Sequence, residues 1–438
     1  MTLNIDDLIS FTAKVLHIIL KNEISLDKAF QRVKHTWKDR ESYKVYYDVI
    51  SNIVKEYYKL EYVSTRIFNS KSCKNIVKAW ILLYGLDYFK NKSQIMSFIK
   101  RLLKRTKFRD SEELGREIEK EIEDFKNYDI VLYLSLKYSF PEEFVKKILE
   151  LFNRNLEEVE KLLYWLNNSP TWIRINTLKI DIDKCIKLLE QQGLEVDVDK
   201  EIPFLVRVVN ARRPVHHVEA IKEGYAVIQD KASVLTVLAL NPEPGDVILD
   251  LCAAPGMKTS LIAQLTECKA RIIAVDISYQ RVLNMMYIFN KLGISSDRVD
   301  IMIADSRILK LRRVQINKIL VDAPCTSSGA VSKDPAVKIA LRQLKRLSWY
   351  TDIQCSLVNN ALEIADKDTL IVYATCSLLP EEGEEIVSKF RSFLEFVRPA
   401  LNLSSGYCQY PDVAPHVCRT FPHIHHCEGF FISCFYKA

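Results

Sequence analysis

The sequence predicts an α/β fold: a doubly wound parallel sheet at the C-terminal end, preceded by a small α+β module and an N-terminal all-α bundle. Three features predict it. Residues 1–128 contain almost no glycine or proline, residues 129–229 mix short strands with helices, and residues 230–438 alternate apolar strands with helices. A chain of 438 residues exceeds one typical hydrophobic core, so several domains are expected.

The N-terminal segment, residues 1–128, is predicted to be a bundle of amphipathic helices. Its apolar residues recur at helical spacing, as in Leu8, Phe11 and Val15, which places them on one face of a helix. The charges between Asp110 and Lys126 alternate in sign. That stretch is therefore predicted to be a solvated surface helix or a linker.

The middle segment, residues 129–229, is predicted to be a small α+β module. A helix with Pro141 in its first turn is followed by a strand at Trp172–Asn176, a helix at Asp183–Gln192 and a strand at Phe204–Val209. Alternation of short strands and helices is typical of ferredoxin-like and RRM-like modules. We expect this module to bind RNA if the partner of the protein is RNA.

The C-terminal segment, residues 230–438, is predicted to form the parallel sheet. Its strands are near-continuous apolar runs separated by helical stretches, as in a sheet that is buried on both faces. The predicted strands are Val247–Asp250, Arg271–Asp276, Ile301–Asp305, Lys318–Asp322 and Leu370–Tyr373.

Polar residues and tight turns follow the first three of these strands, where open α/β sheets bind ligands. The first strand leads into a turn with small residues and one glycine, so neither the dinucleotide fingerprint nor a P-loop is present. The second and third strands end at Asp276 and Asp305. A single aspartate there is equally often a helix N-cap. Three successive strand ends with aspartate favour an adenosyl ligand without phosphates, and S-adenosyl-L-methionine (SAM) fits.

Two cysteines follow the last two predicted strands. Cys325 lies three residues after Asp322, and Cys376 follows Thr375. A single cysteine is usually a buried, inert residue. Two cysteines at one rim of a sheet, beside an aspartate, instead indicate thiol chemistry.

These segments together resemble the Nol/Nop/Sun family of RNA cytosine-C5 methyltransferases. The resemblance covers about residues 130–438, and the N-terminal helices look like the NusB-type domain of Fmu-like enzymes that act on 16S rRNA. The matching motifs are Asp250–Thr259, Asp322–Cys325, Thr375–Ser377 with Pro380–Glu382, Arg174–Lys179, Ile228–Ser233 and Glu428–Phe431.

The resemblance implies a Rossmann-like class I SAM-dependent methyltransferase domain. It implies that Cys376 attacks C6 of cytosine and that Cys325 assists release of the product, while Asp322 is suited to act as an acid near N3. The SAM pocket is expected to comprise Cys252, Ala253, Ala254, Pro255, Gly256, Met257, Lys258, Asp276, Arg281, Asp305 and Asp322. Arg281 has the alternative of an exposed helix residue that pairs with a nearby acid.

Two positions depart from the family pattern. Met257 stands where the family usually has glycine, which the backbone tolerates if φ there is negative. Gly383 replaces the asparagine that commonly follows the Pro-Glu-Glu run, which leaves no side chain to play a role there.

RNA is the expected partner, and its target base must be single-stranded or locally opened to reach both thiols. The net charge of +6 is compatible with a polyanion but is weak support. Two basic stretches, Arg307–Lys318 and Lys333–Arg346, are candidates to hold the RNA backbone. Solvated helix faces are the commoner fate of such charge runs.

Eleven cysteines without a C-x-x-C pair and an N-terminus without signal-peptide features predict reduced thiols in a cytoplasmic protein. No apolar run approaches the length of a membrane span, so no membrane contact is expected. The protein is expected to be a monomer. Possible metal ligands lie close together near the C-terminus, but their spacing fits no common zinc finger, and a short strand would point His425 and His426 to opposite faces. No metal is expected. These residues are Cys418, His423, His425, His426 and Cys427.

Three other functions compete with methylation of rRNA. The same reaction on tRNA differs only in substrate, and the N-terminal helices favour rRNA only by analogy. A non-catalytic RNA-binding or ribosome-assembly factor is disfavoured because both Cys325 and Cys376 are present. A thiol redox protein is disfavoured because no C-x-x-C pair occurs.

Overall fold

The chain forms two compact units. The structure is a computed structural model that describes residues 4–37, 42–89, 92–104, 106–294, 297–311, 314–342 and 344–438. The first unit comprises residues 1–167 and 331–345, and the second comprises residues 168–330 and 346–438. The chain thus leaves the second unit after Ala330 and returns to it at Arg346. The domain limits expected at residues 128 and 229 remain predictions.

The first unit is helical throughout its described length. Leu8, Phe11 and Val15, the predicted apolar face, are fully buried, and the Phe11 ring stacks on that of Tyr46 at 4.8 Å. The helices are α1 (Ile5–Asn22), α2 (Leu26–Lys34), α3 (Tyr43–Lys55), α4 (Tyr57–Phe68), α5 (Cys73–Tyr88), α6 (Lys92–Leu103), α7 (Ser111–Phe125), α8 (Ile130–Tyr138), α9 (Glu142–Leu151) and α10 (Leu156–Asn167).

The charged stretch between Asp110 and Lys126 forms α7. The Asp110 side chain caps this helix by accepting from the backbone N–H of Glu113 at 2.9 Å, as an N-cap aspartate does. Leu114, Ile118 and Ile122 are buried at helical spacing. The stretch is therefore a surface helix with one apolar face rather than a linker.

Residues 331–345 belong to the first unit although they lie far along the chain. Lys338 in this segment is fully buried. Its Nζ donates to the carbonyl oxygens of Lys55 at 2.8 Å and Tyr138 at 3.1 Å, the last residues of α3 and α8. Lys338 therefore satisfies helix carbonyls that lack intrahelical partners, and the prediction that it contacts RNA is wrong.

A small antiparallel sheet opens the second unit. The order of its strands is β2-β3-β1-β4, and the sequence of elements is β-α-β-β-α-β, the connectivity of ferredoxin-like folds. The RNA-binding role expected of this module stays a prediction. The elements are β1 (Trp172–Ile175), α11 (Ile182–Gln191), β2 (Leu194–Val198), β3 (Leu205–Ala211), α12 (Glu219–Lys222) and β4 (Ala226–Ile228).

A large mixed sheet forms the rest of the second unit. Its elements are α13 (Lys231–Leu240), β5 (Val247–Asp250), α14 (Met257–Leu265), β6 (Arg271–Asp276), α15 (Tyr279–Leu292), β7 (Val299–Ile303), β8 (Lys318–Asp322), α17 (Leu347–Ile364), β9 (Leu370–Thr375), α18 (Glu384–Lys389), β10 (Leu394–Val397), β11 (Cys418–Thr420), α19 (Pro422–His425) and β12 (Phe430–Lys437), while α16 (Ala336–Ala340) lies in the first unit.

The strand order of this sheet is β10-β12-β9-β8-β5-β6-β7, with β11 paired to β12. The run from β9 to β7 is parallel, and β12 is antiparallel to its neighbours. This is a Rossmann-like α/β sheet, as predicted. Adjacent strand residues face opposite hydrophobic clusters: Ile248 lies in one cluster and Leu249 in the other. Burial on both faces explains why the strands are continuously apolar.

The sheet differs from the prediction at its C-terminal edge. The sequence was expected to give a parallel sheet, but β12 adds an antiparallel strand whose first six residues are all buried. The pairing of β12 with β9, β10 and β11 depends on contacts between separate segments of the chain, which the sequence alone does not specify. His425 ends the short helix α19, so the alternation of a strand does not apply to His425 and His426.

Among the helices of the described residues, none is long and apolar enough to cross a membrane.

Candidate active site

Both predicted cysteines lie at the carboxyl ends of neighbouring parallel strands. β8 and β9 pair in register, with Asp322 opposite Ala374, so the turns that follow them meet at one rim of the sheet. The Sγ atoms of Cys325 and Cys376 are 3.2 Å apart. The structure therefore brings together the two thiols that the sequence singled out.

The two thiols have different surroundings. Cys325 is buried, with 8% of its surface exposed, whereas Cys376 is half-buried and donates to Ser327 Oγ at 3.4 Å. The hydrogen bond with Cys376, burial and the nearby charge of Glu382 raise the pKa of Cys325 well above its usual value. Cys325 therefore resists ionisation.

Glu382 lies fully buried behind the two cysteine turns. Its carboxylate accepts from the hydroxyl groups of Thr326 and Ser377, each at 2.5 Å. It also accepts from the backbone N–H of Thr326 at 2.9 Å and from Gln354 Nε2 at 3.2 Å. The sequence marked Glu382 only as part of a family motif, because a carboxylate on a turn gives no signal that it is buried.

A buried ion pair supports the same region. Arg419 pairs with Glu384, and both side chains are fully buried; Arg419 Nη1 also donates to the carbonyl of Ser377 at 3.0 Å. A Cβ atom on Gly383 would lie 2.7 Å from the Phe431 ring and 2.9 Å from Arg419 Nη2. Glycine at this departure from the family pattern is therefore a packing requirement in this chain.

Asp322 also faces the rim of the sheet, where it pairs with Lys258. Lys258 Nζ donates to Asp322 Oδ2 at 2.6 Å, and 30% of the Asp322 side chain is exposed. Asp250 lies deeper and accepts from Thr259 Oγ1 at 2.7 Å. Burial and the carboxylates of Asp250, Asp322 and Asp276 raise the pKa of Cys252 well above its usual value, because these acids converge on the turn after β5.

The turn after β5 is tied to the end of β6. The backbone N–H of Ala254 donates to Asp276 Oδ2 at 3.2 Å. Arg281 Nη1 lies 3.1 Å from the same oxygen, and its Nη2 donates to the Ala254 carbonyl. Arg281 is thus an exposed residue of α15 that pairs with an acid, as the alternative expected, and this acid is Asp276 of the predicted pocket. Its role in binding SAM stays a prediction.

Asp305 differs from the expectation. β7 ends at Ile303, so Asp305 lies in the following turn rather than on the strand. Both of its carboxylate oxygens accept from Arg307, at 2.9 and 2.6 Å, and these hydrogen bonds lower the pKa of Asp305. An adenine amino group would have to share this carboxylate with Arg307.

Gly256 and Met257 form the junction between the turn and α14. Gly256 has a φ of +97°, and a Cβ atom there would lie 2.6 Å from the Phe289 ring, so glycine is required. Met257 is the first residue of α14, and its φ is not positive. Its backbone therefore accepts a side chain, as predicted.

The polar groups at this rim fit an adenosyl ligand. The Asp276 carboxylate is buried at the end of β6, where it can accept from ribose hydroxyl groups. The turn from Cys252 to Lys258 leads directly into the N-terminus of α14, and its one lysine is paired with Asp322. Carboxylates rather than a cluster of cations suit SAM, which carries no phosphate.

The two basic stretches are less uniform than the sequence suggested. Arg307 and Lys310 are exposed but pair with Asp305 and Glu363. In the second stretch Lys345 and Arg346 are exposed, unlike Lys338. Arg312, Arg313 and Gln343 lie outside the described residues. The RNA contacts of both stretches stay predictions apart from Lys338.

Comparison with known proteins gives a consistent family. Residues 237–436 match the sequence model of the family described as 16S rRNA methyltransferase RsmB/F. The chain is 31% identical to the 26S rRNA (cytosine-C(5))-methyltransferase nsun-1 of Caenorhabditis elegans over 70% of this chain and 48% of that protein. It is also 31% identical to ribosomal RNA small subunit methyltransferase B of Klebsiella pneumoniae, over 58% of each chain. The chain thus spans about half the length of these relatives.

Solved structures agree on the fold. The crystal structure of PH0851 superposes with a TM-score of 0.75 over 100% of both chains at 22% identity. NSun6 from Pyrococcus horikoshii with SFG, a SAM analogue, superposes with a TM-score of 0.59 at 25% identity, covering 66% of this chain and 96% of that one.

These comparisons confirm the resemblance that the motifs indicated, and SAM is the cofactor that goes with it. Residues 237–436 form a methyltransferase domain that belongs to the 16S rRNA methyltransferase RsmB/F family.

Proposed function

We propose that this protein transfers the methyl group of SAM to C5 of a cytosine in RNA, through a covalent bond between Cys376 and C6 of the base. The observation that carries the proposal is the pair of thiols 3.2 Å apart beside the Asp322–Lys258 pair. A redox pair would not need the carboxylates at the adjoining strand ends, and a binding module would not need two thiols at the rim.

The reaction requires the base to be activated before methyl transfer. SAM supplies a methyl group that is attacked by a carbon nucleophile, and C5 of free cytosine is too weak for that attack. Addition of the Cys376 sulfur to C6 turns C5 into an enamine-like nucleophile. The proton that the Cys376 thiol loses on addition passes to N3 through the Asp322 carboxyl group, which is paired with Lys258 and stabilises the charge that accumulates at N3. After methyl transfer a base removes the C5 proton, and the electron pair expels the Cys376 thiolate.

The division of labour between the cysteines is supported by their surroundings. Cys376 is the more exposed thiol, so the cytosine ring can approach it. Cys325 is buried and its pKa is raised well above its usual value, which keeps it a neutral thiol next to the nucleophile. We infer that Cys325 exchanges a proton with the departing Cys376 sulfur and thereby assists release of the product.

Ribosomal RNA is the substrate class we propose. The relatives named above act on rRNA according to their names, and the helices of the first unit are proposed to be a NusB-like RNA-binding domain. The ferredoxin-like module and the exposed cations near Arg307 and Lys345 are proposed to hold a single-stranded or locally opened target. The protein is proposed to act as a monomer, and tRNA remains the alternative substrate.

The test supplies the full chain with SAM labelled on its methyl group and with separate rRNA and tRNA that lack the modification. We expect label in rRNA as 5-methylcytosine, mapped at nucleotide resolution. Label in tRNA alone would mean that the same reaction takes place on the alternative substrate, tRNA. Label on adenine or on protein, or no transfer from SAM at all, would contradict the proposal.

A further inference from the structure

We propose that Glu382 is a positioning residue that fixes the turn of Cys325 against the turn of Cys376. The assignment deepens the proposed function, since it concerns how the two thiols of that reaction are kept in register. It rests on the hydrogen bonds of Glu382 to the residue that follows each cysteine.

The contacts join the two turns through one side chain. Thr326 follows Cys325, and it donates to Glu382 from its hydroxyl group at 2.5 Å and from its backbone N–H at 2.9 Å. Ser377 follows Cys376 and donates to the same carboxylate from its hydroxyl group at 2.5 Å. A movement of either turn therefore breaks hydrogen bonds to a carboxylate that has no access to water.

Gln354 extends this arrangement to the base of the Cys325 turn. Its Nε2 donates both to Glu382 Oε1 at 3.2 Å and to the carbonyl of Pro324 at 2.9 Å. The Cys325 turn is thus held on both sides of the thiol. Gln354 lies in α17 and is fully buried, so the connection runs to a rigid element rather than to another loop.

The chemistry of the pocket explains why a carboxylate occupies this position. The donors that reach Glu382 are neutral hydroxyl and amide groups, whereas the nearby Arg419 pairs with Glu384. Burial raises the pKa of Glu382, and the hydrogen bonds from Ser377 and Thr326 oppose that effect. Glu382 Oε2 accepts from the hydroxyl groups of both turns, and Oε1 accepts from the Thr326 N–H and from Gln354. The carboxylate therefore satisfies four donors, more than a single hydroxyl or carbonyl oxygen can accept.

The consequence is a fixed separation of 3.2 Å between the two Sγ atoms. Proton exchange between the thiols needs hydrogen-bond reach, and an error of about 1 Å in such a geometry can cost about 10²-fold in rate. Without Glu382 the turns keep direct contacts, such as the hydrogen bond from the Gly329 N–H to the Cys376 carbonyl, but they lose the side chain that ties Thr326 to Ser377. Attack by Cys376 and release assisted by Cys325 would then both slow.

The test measures thiol proximity without any RNA. The diazene diamide accepts two electrons and two protons from a pair of thiols: one thiolate adds to the N=N bond, the second displaces it, and a disulfide and a hydrazine result. The rate at which a Cys325–Cys376 disulfide forms is followed by peptide mass spectrometry. We expect fast formation in the wild-type chain, and at least tenfold slower formation in Glu382→Ala, with Glu382→Gln in between.

Glu385→Gln is the matched control, because Glu385 belongs to the same acidic run but accepts from Tyr410 rather than from a cysteine turn. Its disulfide rate should stay within twofold of wild type. Circular dichroism checks that each variant folds. If Glu382→Ala does not fold, Thr326→Val and Ser377→Ala decide the question, since each removes one hydroxyl donor and is expected to slow the reaction severalfold.

A folded Glu382→Ala chain that forms the disulfide at the wild-type rate would overturn the proposal, as would a wild-type chain that does not form it. Methyl transfer is measured in parallel, where kcat of Glu382→Ala should fall by about 10²-fold with KM for SAM within twofold. If wild type crosslinks rapidly but methylates no RNA, the proposed function fails and the positioning role of Glu382 stands.

Discussion

Asp250 at the end of β5 is a carboxylic acid that the fold has removed from water. It is almost fully buried and accepts from Thr259 Oγ1 at 2.7 Å. Burial raises the pKa of Asp250 from 3.8 to about 7, and the hydrogen bond from Thr259 only partly opposes this effect. Its charge state is therefore linked to the stability of the second unit.

The contribution of Asp250 to the stability of the wild-type protein should fall as pH rises from about 4 to about 7. In this window the folded state keeps the proton on Asp250 and the unfolded state has lost it, so the contribution of this group declines by about 1.4 kcal/mol per pH unit. Asp250→Asn should lose this slope while it keeps an acceptor for Thr259. Urea unfolding at several pH values measures the effect.

The control for this prediction is Asp300→Asn, an exposed aspartate on β7 that pairs with Arg271. That variant should keep the wild-type slope. Equal slopes in Asp250→Asn and wild type would mean that Asp250 is not the group responsible.

For individual residues, the sequence predicted which side chains lie in the candidate active site better than it predicted which residues contact them. Asp322 and Cys325 stand out because they end and follow the apolar strand β8, and Cys376 because it follows its neighbour β9. Glu382 and Arg419 do not, because the depth at which a charged side chain lies depends on packing between segments distant in the chain. Asp305 was expected on a strand that ends two residues earlier, since strand ends are set by pairing rather than by composition.

The turn of Cys325 also depends on close contact between two backbone segments. The N–H of Gly429 donates to the carbonyl of Gly329 at 3.0 Å, and the N–H of Gly329 donates to the carbonyl of Cys376 at 3.0 Å. A Cβ atom on Gly329 would lie 1.8 Å from the carbonyl oxygen of Gly429. The loop that precedes β12 thus packs directly against the turn that bears the thiol.

Gly329→Ala should destabilise the protein by about 1–3 kcal/mol or more, because backbone must move to admit the methyl group. It should also slow disulfide formation between Cys325 and Cys376, since the displaced segment follows Cys325. Thermal unfolding and the crosslinking rate measure the two effects.

The matched control is Gly115→Ala in α7, where a Cβ atom meets nothing within 4 Å. That change should be neutral or stabilise the protein by about 0.5–1 kcal/mol, because it relieves the entropic cost of a helical glycine. A Gly329→Ala chain as stable as Gly115→Ala would refute the importance of the backbone contact.

Among the elements, the parallel strands were the most predictable. β5, β6 and β8 have the predicted limits, since burial on both faces makes their apolar runs unmistakable. The edge strands β10 and β11 were missed because they are short and their pairing with β12 is not local. The helix α19 was not predicted because a Pro-initiated helix of four residues has no periodicity to detect.

For the whole molecule, the discontinuity of the first unit is the feature with the clearest consequence. Residues 331–345 leave the second unit and complete the helical one. Ala336, Lys338 and Ile339 in this segment are buried. A chain without residues 1–167 therefore keeps a segment whose packing partners have been removed.

Trypsin should cut a chain that begins at Asn168 rapidly after Lys338, and should leave that bond in the full chain intact for much longer. The reason is that cleavage needs locally unfolded, accessible backbone. Mass spectrometry of timed digests locates the cut. A second truncated chain, with a glycine-serine linker in place of residues 332–344, is the control. Its cleavage at all other sites should match that of the first truncated chain. Equal rates of cleavage after Lys338 in the full and truncated chains would argue against this division of the molecule.

The central claim is that Cys376 bonds to C6 of a cytosine in RNA. It is tested most directly with SAM and an RNA substrate in which the target cytosine is replaced by 5-azacytosine, which has no C5 proton to lose and so traps the adduct. After nuclease and protease digestion, mass spectrometry identifies the modified cysteine. The nucleotide is predicted on Cys376, and the adduct should be absent from Cys376→Ala. A nucleotide on Cys325 would contradict the account. So would the lack of any adduct with the 5-azacytosine RNA, if the wild-type protein methylates the same RNA with cytosine at that position.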